Sequence, residues 1–153
     1  MKNFTPILLV DDDDIDALSV RRAFKELNIT NKLVRSVNGE EALKYLDDQC
    51  NEMPCMILLD LNMPKMNGIE FLSIIKEDDK LKCIPVIVLT TSTEECDVKE
   101  SFKYSVGGYV VKPVDYKSFV EAIRTVNMYW SLSELPSQEE RLTNAKCEIN
   151  SIG

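Results

Sequence analysis

Histidine is absent from the 153-residue chain, and its absence excludes several kinds of site. A Ser-His-Asp triad and a histidine-ligated zinc site both need an imidazole, so this chain can build neither. An internal phosphohistidine is excluded for the same reason. If a phosphoryl group reaches this chain from a histidine, another protein must supply that histidine.

Paired cysteines, a basic leader, a long apolar stretch and a basic stripe are missing as well. The five cysteines are odd in number and form no C-x-x-C pair. We therefore expect reduced thiols in a cytoplasmic protein, with no membrane partner. The formal net charge of −8 argues against nucleic acid binding, because the phosphate backbone attracts basic surfaces. A cation or a basic partner fits this charge better.

Short apolar runs alternate with segments of helical spacing along the chain. The runs lie at Ile7–Val10, Lys32–Ser36, Met56–Leu59, Pro85–Leu89 and Tyr109–Val111. A segment with the apolar spacing of a helix follows each run. The pattern predicts an α/β domain whose parallel sheet is covered by helices on both faces through right-handed crossovers.

Capping residues and glycines mark the predicted helix ends. We expect Asp13 or Asp14 to cap the first helix and, with Asp16, to form its solvated start. Asn38 is expected to cap the second helix, and Gly107–Gly108 to stop the fourth. We expect one domain over residues 1–130. The polar tail 131–153 is expected to be partly disordered, or packed on the domain or on a partner.

Polar residues follow four of the five predicted strands. Asp11 and Asp12 follow the first, Asp60 the third, Thr90 ends the fourth and Lys112 follows the fifth. Parallel strands share one carboxyl edge, so we expect these residues on one rim of the sheet. In the flavodoxin-like strand order 2-1-3-4-5, borrowed from known doubly wound proteins, the first and third strands flank the ligand crevice. Asp12 and Asp60 then face each other across it.

Acidic residues this close together call for a cation. Two carboxylates about 4 Å apart repel by about 4 kcal/mol at an effective dielectric of 20. Oxygen ligands without cysteine or histidine suit Mg²⁺, or Mn²⁺ in its place. A metal ion between Asp12 and Asp60 could clamp a phosphoryl group whose other oxygens bind Lys112 and the Thr90 hydroxyl.

Four segments carry a family resemblance. They are ILLVDD at Ile7–Asp12, LLDLNMPKMNG at Leu58–Gly68, PVIVLT at Pro85–Thr90 and GYVVKP at Gly108–Pro113. In order and spacing they resemble the receiver domain of two-component response regulators, over about residues 7–126. The resemblance implies a stand-alone response regulator. The Tyr129–Trp130 ending with its short tail is similar to that of small single-domain regulators that partner bacteriophytochrome-type histidine kinases.

The resemblance also implies roles for individual residues. Asp60 matches the phosphoacceptor, which takes its phosphoryl group from a sensor histidine kinase. Asp11 and Asp12 match the acidic pair that holds Mg²⁺, and the backbone carbonyl of Asn62 matches a further ligand. Lys112 matches the lysine that pairs with the phosphoryl group.

Further implied roles concern switching and hydrolysis. Thr90 matches the switch hydroxyl and Tyr109 the aromatic switch residue that follows it. Asn62 and Ser92 match positions that tune hydrolysis of the phosphoryl group. Thr91 stands where the family usually has a smaller residue. Lys112–Pro113 matches a bond that is cis in the family.

Two other functions and one mode of association stay open at this point. A phosphohydrolase of the haloacid dehalogenase kind needs a second aspartate two residues after its nucleophile, a place that Asn62 holds here. A pseudo-receiver would keep the fold as a binding module without phosphorylation. We also expect a homodimer through the fourth helix, fifth strand and last helix, because Val126, Met128, Tyr129 and Trp130 place apolar groups on more than one side of that helix.

Overall fold

A computed structural model describes the main chain of residues 5–90, 95–112 and 115–132, and their side chains except those of 95, 96 and 129–132. Within these residues, five strands alternate with five α-helices. The strands are β1 (Ile7–Val10), β2 (Leu33–Ser36), β3 (Met56–Leu59), β4 (Val86–Thr90) and β5 (Gly108–Val111). The helices are α1 (Asp14–Glu26), α2 (Gly39–Asp47), α3 (Gly68–Glu77), α4 (Glu95–Lys103) and α5 (Tyr116–Leu132).

The five strands form one parallel sheet in the order β2-β1-β3-β4-β5. This order confirms the predicted flavodoxin-like α/β fold. Every residue of β1 and β3 is buried, as expected for strands that helices cover on both faces. Val10 pairs with Leu59, and Thr90 pairs with Val111. The residues that follow these strands therefore meet at the carboxyl edge of the sheet.

Successive strand residues alternate between two hydrophobic cores, one on each face of the sheet. Leu8 and Ile57 belong to the core that contains the apolar residues of α2 and α3, with Phe71 fully buried in it. Leu9 and Leu58 belong to the core that α1 and α5 cover. The sheet is held from both sides, which makes its carboxyl edge a rigid base for a site.

Side-chain caps start the first two helices as predicted. The Asp13 carboxylate accepts hydrogen bonds from the N–H groups of Ile15 and Asp16, at 2.8 and 3.1 Å. The Asn38 side chain accepts one from the Glu41 N–H at 2.9 Å. These caps fix the loop that leads from β1 into α1, where the acidic run lies.

The fourth helix ends earlier than predicted. It stops at Lys103 rather than at Gly107–Gly108, and Ser105 adopts a φ of 57°. The Ser105 N–H donates to the carbonyl of Phe102 at 3.0 Å, which closes the last turn. A left-handed residue ends the helix here without being glycine, so the glycine pair was a misleading signal.

The last helix continues past the predicted domain boundary at residue 130, through Leu132. Residues 133–153 lie outside the described part of the chain, so the division into a domain at 1–130 and a tail at 131–153 stays a prediction. Among the described helices, none has the length and apolar character needed to cross a membrane.

Candidate functional site

Three carboxylates meet where β1 and β3 end. Asp11, Asp12 and Asp60 each offer an oxygen, and these oxygens lie within 4.8 Å of one another. Asp11 is 1% exposed and Asp60 6% exposed, whereas Asp12 is open to solvent. Mutual repulsion disfavours three ionised acids at such distances unless a proton or a cation offsets it. Their oxygens are ligands that suit a hard divalent cation, and the open position of Asp12 gives the ion a way in.

Main-chain N–H groups orient the two buried acids. The Asp13 N–H donates to Asp11 Oδ1 at 3.0 Å, and the Asn62 N–H donates to Asp60 Oδ1 at 3.3 Å. The Asp60 N–H itself bonds the carbonyl of Val10 at 2.9 Å, which continues the pairing of β1 with β3. The carboxylates are thus fixed by the backbone of the strands that carry them.

The Thr90 hydroxyl lies against the same carboxylate. Thr90 is fully buried at the end of β4, and its Oγ1 donates to Asp60 Oδ1 at 2.8 Å. Asp60 Oδ1 therefore accepts two hydrogen bonds, from Thr90 and from the Asn62 N–H. Asp60 Oδ2 has Lys112 Nζ at 3.8 Å, beyond hydrogen-bond distance. As far as the described residues are concerned, this second oxygen is available to a ligand or as a nucleophile.

The Lys112 ammonium is shared between two other acids. Its Nζ lies 2.7 Å from Asp11 Oδ2 and 2.7 Å from Asp16 Oδ2. Burial by itself would lower the pKa of Lys112, but the bonds to Asp11 and Asp16 outweigh burial and raise that pKa. Lys112 therefore stays charged at neutral pH. Its ion pair with Asp11 links the end of β5 to the end of β1.

Burial has the opposite effect on Asp11. Desolvation raises its pKa to about 6, and the hydrogen bond from Lys112 only partly reverses that rise. The proton on Asp11 is therefore exchanged close to neutral pH. A cation that binds at Asp11 competes with this proton.

Two residues of this region were not predicted as site residues. Asp16 was expected to be a solvated part of the helix start, yet it binds Lys112. Arg35, at the end of the edge strand β2, donates from Nε to the Asp11 carbonyl at 3.2 Å and from Nη1 to Asp14 Oδ1 at 2.7 Å. Arg35 could have been found from the sequence, because a positive charge near the end of a strand beside the acidic rim suggests an ion pair with that rim. Asp16 has no such signal, because its partner is 96 residues away in the chain.

A glycine lets the loop after β3 pack closely under Asp60. A Cβ on Gly68 would lie 2.6 Å from the Asp60 carbonyl oxygen and 2.7 Å from Leu61 Cα, both main-chain atoms. The Gly68 N–H also donates to the Leu61 carbonyl at 3.0 Å. The phosphoacceptor candidate is thus supported from below by the first turn of α3.

An open cavity of about 420 Å³ lies beside the three acids. It is bounded by one exposed acid of the cluster, by the loop after β3 and by the start of α3 and part of α4. Its lining residues are Asp12, Leu61, Asn62, Met63, Pro64, Asn67, Ile69 and Asp97. The cavity gives a small ligand a route to the acids.

The structure brings together most of the predicted site. Asp11, Asp12, Asp60, Thr90 and Lys112 lie on one rim, with the Asn62 main chain bonded to Asp60. Tyr109 is half-buried and packs against the core on the α2 and α3 face. The predictions for Thr91, Ser92 and Pro113, including the cis bond before Pro113, fall outside the described residues.

A family model for the response regulator receiver domain matches residues 7–124. The chain belongs to the response regulator receiver domain family. The chain is 37% identical over 128 residues to the response regulator Rcp1 of Synechocystis sp., which spans 81% of this chain and 87% of that protein. It is also 37% identical over 127 residues to a probable methanogenesis regulatory protein, FilR2, of Methanothrix harundinacea, which spans 81% of this chain and 82% of that protein.

Solved structures agree with this assignment. The phosphorylated cyanobacterial phytochrome response regulator RcpA superposes with a TM-score of 0.82 at 34% identity, covering 88% of this chain and all of that one. The Mn²⁺-bound form of Rcp1 gives a TM-score of 0.81 at 36% identity, covering 87% of this chain and 99% of that one. The chain is therefore a response regulator, a signalling protein rather than a metabolic enzyme. The phosphohydrolase and pseudo-receiver alternatives are not favoured.

The residues present fit a divalent cation. Among the described residues, the cluster consists of two buried acids and one exposed acid, so its donors are all oxygen. Receiver domains take phosphoryl groups from histidine kinases, and a cation here would lie next to the carboxylate at the end of β3. The oxygen donors of this rim therefore fit a doubly charged ion beside a phosphoryl group.

Proposed function

We propose that Asp60 accepts a phosphoryl group from the phosphohistidine of a sensor histidine kinase, in a reaction that depends on Mg²⁺. One observation carries this proposal above the others. Asp60 is buried just after a central strand, and its Oδ1 accepts hydrogen bonds from Thr90 and from the Asn62 N–H. Among the described residues, no cationic side chain lies within hydrogen-bond distance of its Oδ2, since Lys112 Nζ is 3.8 Å away. This arrangement leaves one oxygen of a fixed carboxylate free to attack phosphorus.

The transfer forms one bond and breaks another. Asp60 Oδ2 bonds the phosphorus, the bond between phosphorus and the kinase imidazole breaks, and its electron pair stays on the imidazole nitrogen. A Mg²⁺ ion held by Asp11, Asp12, Asp60 and the Asn62 carbonyl would neutralise charge on the phosphoryl oxygens. Mn²⁺ would serve in the same place. The protein's own catalysis is positioning and charge neutralisation.

Lys112 and Thr90 supply the remaining contacts. The Lys112 ammonium, 3.8 Å from Asp60 Oδ2, needs only a small movement to reach an oxygen of a phosphoryl group on that carboxylate. The Thr90 hydroxyl, now bonded to Asp60, exchanges that acceptor for a phosphoryl oxygen. Tyr109 then follows Thr90, and the surface formed by α4, β5 and α5 changes with it. Asn62 and Ser92 tune the water that later hydrolyses the acyl phosphate.

The changing surface is where we expect a homodimer. Phe102 on α4, Val111 on β5 and Met128 on α5 are 53%, 45% and 57% exposed. Large apolar side chains on three successive elements are more than a solvated face needs, and a partner would bury them. The acidic composition argues against nucleic acid as that partner, and the free thiols of Cys50 and Cys83 fit a cytoplasmic, reducing setting.

Phosphoryl uptake tests the proposed function directly. The protein is incubated with acetyl phosphate and Mg²⁺, and intact mass is measured before and after. One phosphoryl group is expected on the unchanged protein and none on Asp60→Asn. Asp13→Asn serves as the matched control, since asparagine caps a helix as well as aspartate does. Uptake that survives in Asp60→Asn would rule out Asp60 as the acceptor.

A further inference from the structure

We propose that Asp16 is a positioning residue for Lys112. Asp16 binds the ammonium at the edge of the site and keeps it away from Asp60, so that a divalent cation can bind between Asp11 and Asp60. This inference rests on the proposed function, because it explains how the lysine and the cation share one cluster of acids. Asp16 touches neither the cation nor the phosphoryl group in this scheme. It acts through Lys112.

The contacts of Lys112 are unequal in a way that points to Asp16. Nζ lies 2.7 Å from Asp16 Oδ2 and 2.7 Å from Asp11 Oδ2, but 3.8 Å from Asp60 Oδ2. Asp11, Asp16 and Asp60 thus surround one ammonium, and the bond to Asp60 is the one not made. The ammonium therefore has Asp11 and Asp16, rather than Asp11 and Asp60, as its two hydrogen-bond acceptors in this cluster.

Asp16 is also different in kind from the other acids around Lys112. The three-carboxylate cluster consists of Asp11, Asp12 and Asp60, and Asp16 is not part of it. Its side chain is 30% exposed, whereas that of Lys112 is 5% exposed. The Asp16 N–H is bonded to the Asp13 cap at 3.1 Å, which fixes the turn that carries it. Asp16 is a fixed acid at the edge of the site, outside the oxygens a cation would use.

Asp16 affects cation binding because the Lys112 ammonium and a metal ion compete for the same carboxylates. The Lys112 ammonium and a divalent cation both need oxygens of Asp11 and Asp60. Without Asp16, the remaining ion-pair partners of the ammonium among the described residues would be Asp11 and Asp60, and it would hold both of them against the cation. With Asp16 present, Lys112 keeps one strong acceptor when the cation takes the others. Removing Asp16 should therefore weaken cation binding more than the loss of one negative charge would.

The matched control lies in the same turn of α1. Asp14 carries the same charge and also forms a 2.7 Å ion pair, but its partner is Arg35 and its side chain is 90% exposed. Asp14→Asn therefore removes one negative charge from the same turn without touching Lys112. We expect Asp16→Asn to raise the Mg²⁺ dissociation constant about tenfold, in line with residues that support metal ligands indirectly. Asp14→Asn should raise it much less. Calorimetric titration with Mg²⁺ alone measures both.

A double-mutant cycle separates an effect through Lys112 from an effect of charge. If Asp16 acts through the ammonium, Asp16→Asn has a much smaller effect on Mg²⁺ affinity in a Lys112→Met background than in the unchanged protein. If the two effects agree within about twofold, the residues are independent and the proposal is wrong. Equal losses in Asp14→Asn and Asp16→Asn would overturn it as well.

A crystal structure of Asp16→Asn tests the proposal a second time and needs no Lys112 variant. The proposal expects Lys112 Nζ within about 3.2 Å of Asp60 Oδ2 once Asp16 no longer holds it. An ammonium that stays beyond hydrogen-bond distance of Asp60 contradicts the proposal. Neither measurement uses a phosphoryl donor. Failure of Asp60 to accept a phosphoryl group would therefore refute the proposed function separately.

Discussion

The acids at the ends of β1 and β3 are oriented by main-chain N–H groups, whereas the groups at the ends of β4 and β5 reach them through side chains. Asp11 and Asp60, with exposed Asp12, form the acidic side of the rim. The main-chain N–H groups of Asp13 and Asn62 donate to Asp11 and Asp60, respectively. Thr90 and Lys112, with Tyr109, form the switch side. Their described bonds to the acidic side are the Thr90 hydroxyl to Asp60 and the Lys112 ammonium to Asp11 and Asp16.

This difference supports the proposal of a separate task for each side. Main-chain bonds keep the carboxylates in place whatever is bound, which is what a metal site needs. Side-chain bonds can be exchanged when the charge at Asp60 changes, which is what a switch needs. Moving a two-state equilibrium from 1:99 to 99:1 takes about 5.5 kcal/mol of differential binding. We expect a buried phosphoryl group with its cation to supply a difference of that size.

Breaking the support beneath the acidic side should have the largest effect. Gly68→Val places carbon atoms against the Asp60 carbonyl and Leu61 Cα, which are main-chain atoms that cannot turn aside. We expect a loss of about 3 kcal/mol in the free energy of unfolding, measured by urea titration. Gly107→Ala is the control, because its nearest neighbour is the end of the Ile87 side chain at 3.3 Å. Equal losses in the two variants would mean that close packing under Asp60 is not special.

Lowering the pH through 6 should change the charge of the acidic side and leave the charge of the switch side unchanged. The pKa of Asp11 is raised to about 6, chiefly by burial, while the pKa of Lys112 is raised and keeps that group charged. As pH falls through 6, Asp11 takes up a proton that a cation must displace. The Mg²⁺ dissociation constant should therefore be about tenfold higher at pH 5 than at its plateau above pH 7.

Titration calorimetry at several pH values checks this dependence. In Asp11→Asn the affinity should be low at every pH, and the step near pH 6 should be gone. A step of unchanged size in that variant would assign the proton to another group.

The switch side should tolerate the loss of its hydroxyl at a smaller cost. Thr90→Val keeps the shape of a fully buried side chain and removes the hydrogen bond to Asp60, which retains the Asn62 N–H. We expect a loss of about 1 kcal/mol in stability, and phosphoryl uptake should persist. The environment of Tyr109, followed by NMR, should stop responding to acetyl phosphate. Thr90→Ser restores the hydroxyl and should restore the response, and a full response in Thr90→Val would contradict a switching role.

The smallest effect on stability is expected at the surface beyond the switch side. Phe102→Ser removes a 53% exposed side chain, so the free energy of unfolding should change by no more than about 0.5 kcal/mol. Self-association of the phosphorylated protein should weaken about tenfold in sedimentation equilibrium, as for an apolar interface residue. Ile74→Ser, at a 41% exposed position on α3, is the control. Equal weakening in both variants would place the dimer contact elsewhere.

The sequence was sufficient for the parts of the molecule that depend on local pattern. Apolar runs such as Ile7–Val10 predict strands buried on both faces, and the acids that end them necessarily fall on one edge of a parallel sheet. The order of the strands was borrowed from known doubly wound proteins, since no local feature of the sequence shows which strands are neighbours. The early end of α4 was not predicted, because a serine such as Ser105 does not indicate a left-handed conformation in the way that a glycine does.

Partners of charged side chains were the least predictable feature. Asp14 and Asp16 stand in the same acidic run, yet one pairs with Arg35 and the other with Lys112. The choice depends on which cation the fold brings beside each turn of α1, and that is settled by packing rather than by spacing. Lys112 could be placed on the rim from sequence. Its division between Asp11 and Asp16 could not.

The bond between Lys112 and Asp11 joins residues 101 positions apart. A contact of such high sequence separation forms only when the intervening chain has already found its place, because closing so long a loop is entropically costly. The lysine therefore reaches the acids only after the fifth strand has docked. A chain whose fifth strand had not docked would leave Asp11 and Asp16 without the Lys112 ammonium. The complete cluster of acids and ammonium is therefore a feature of the fully folded chain.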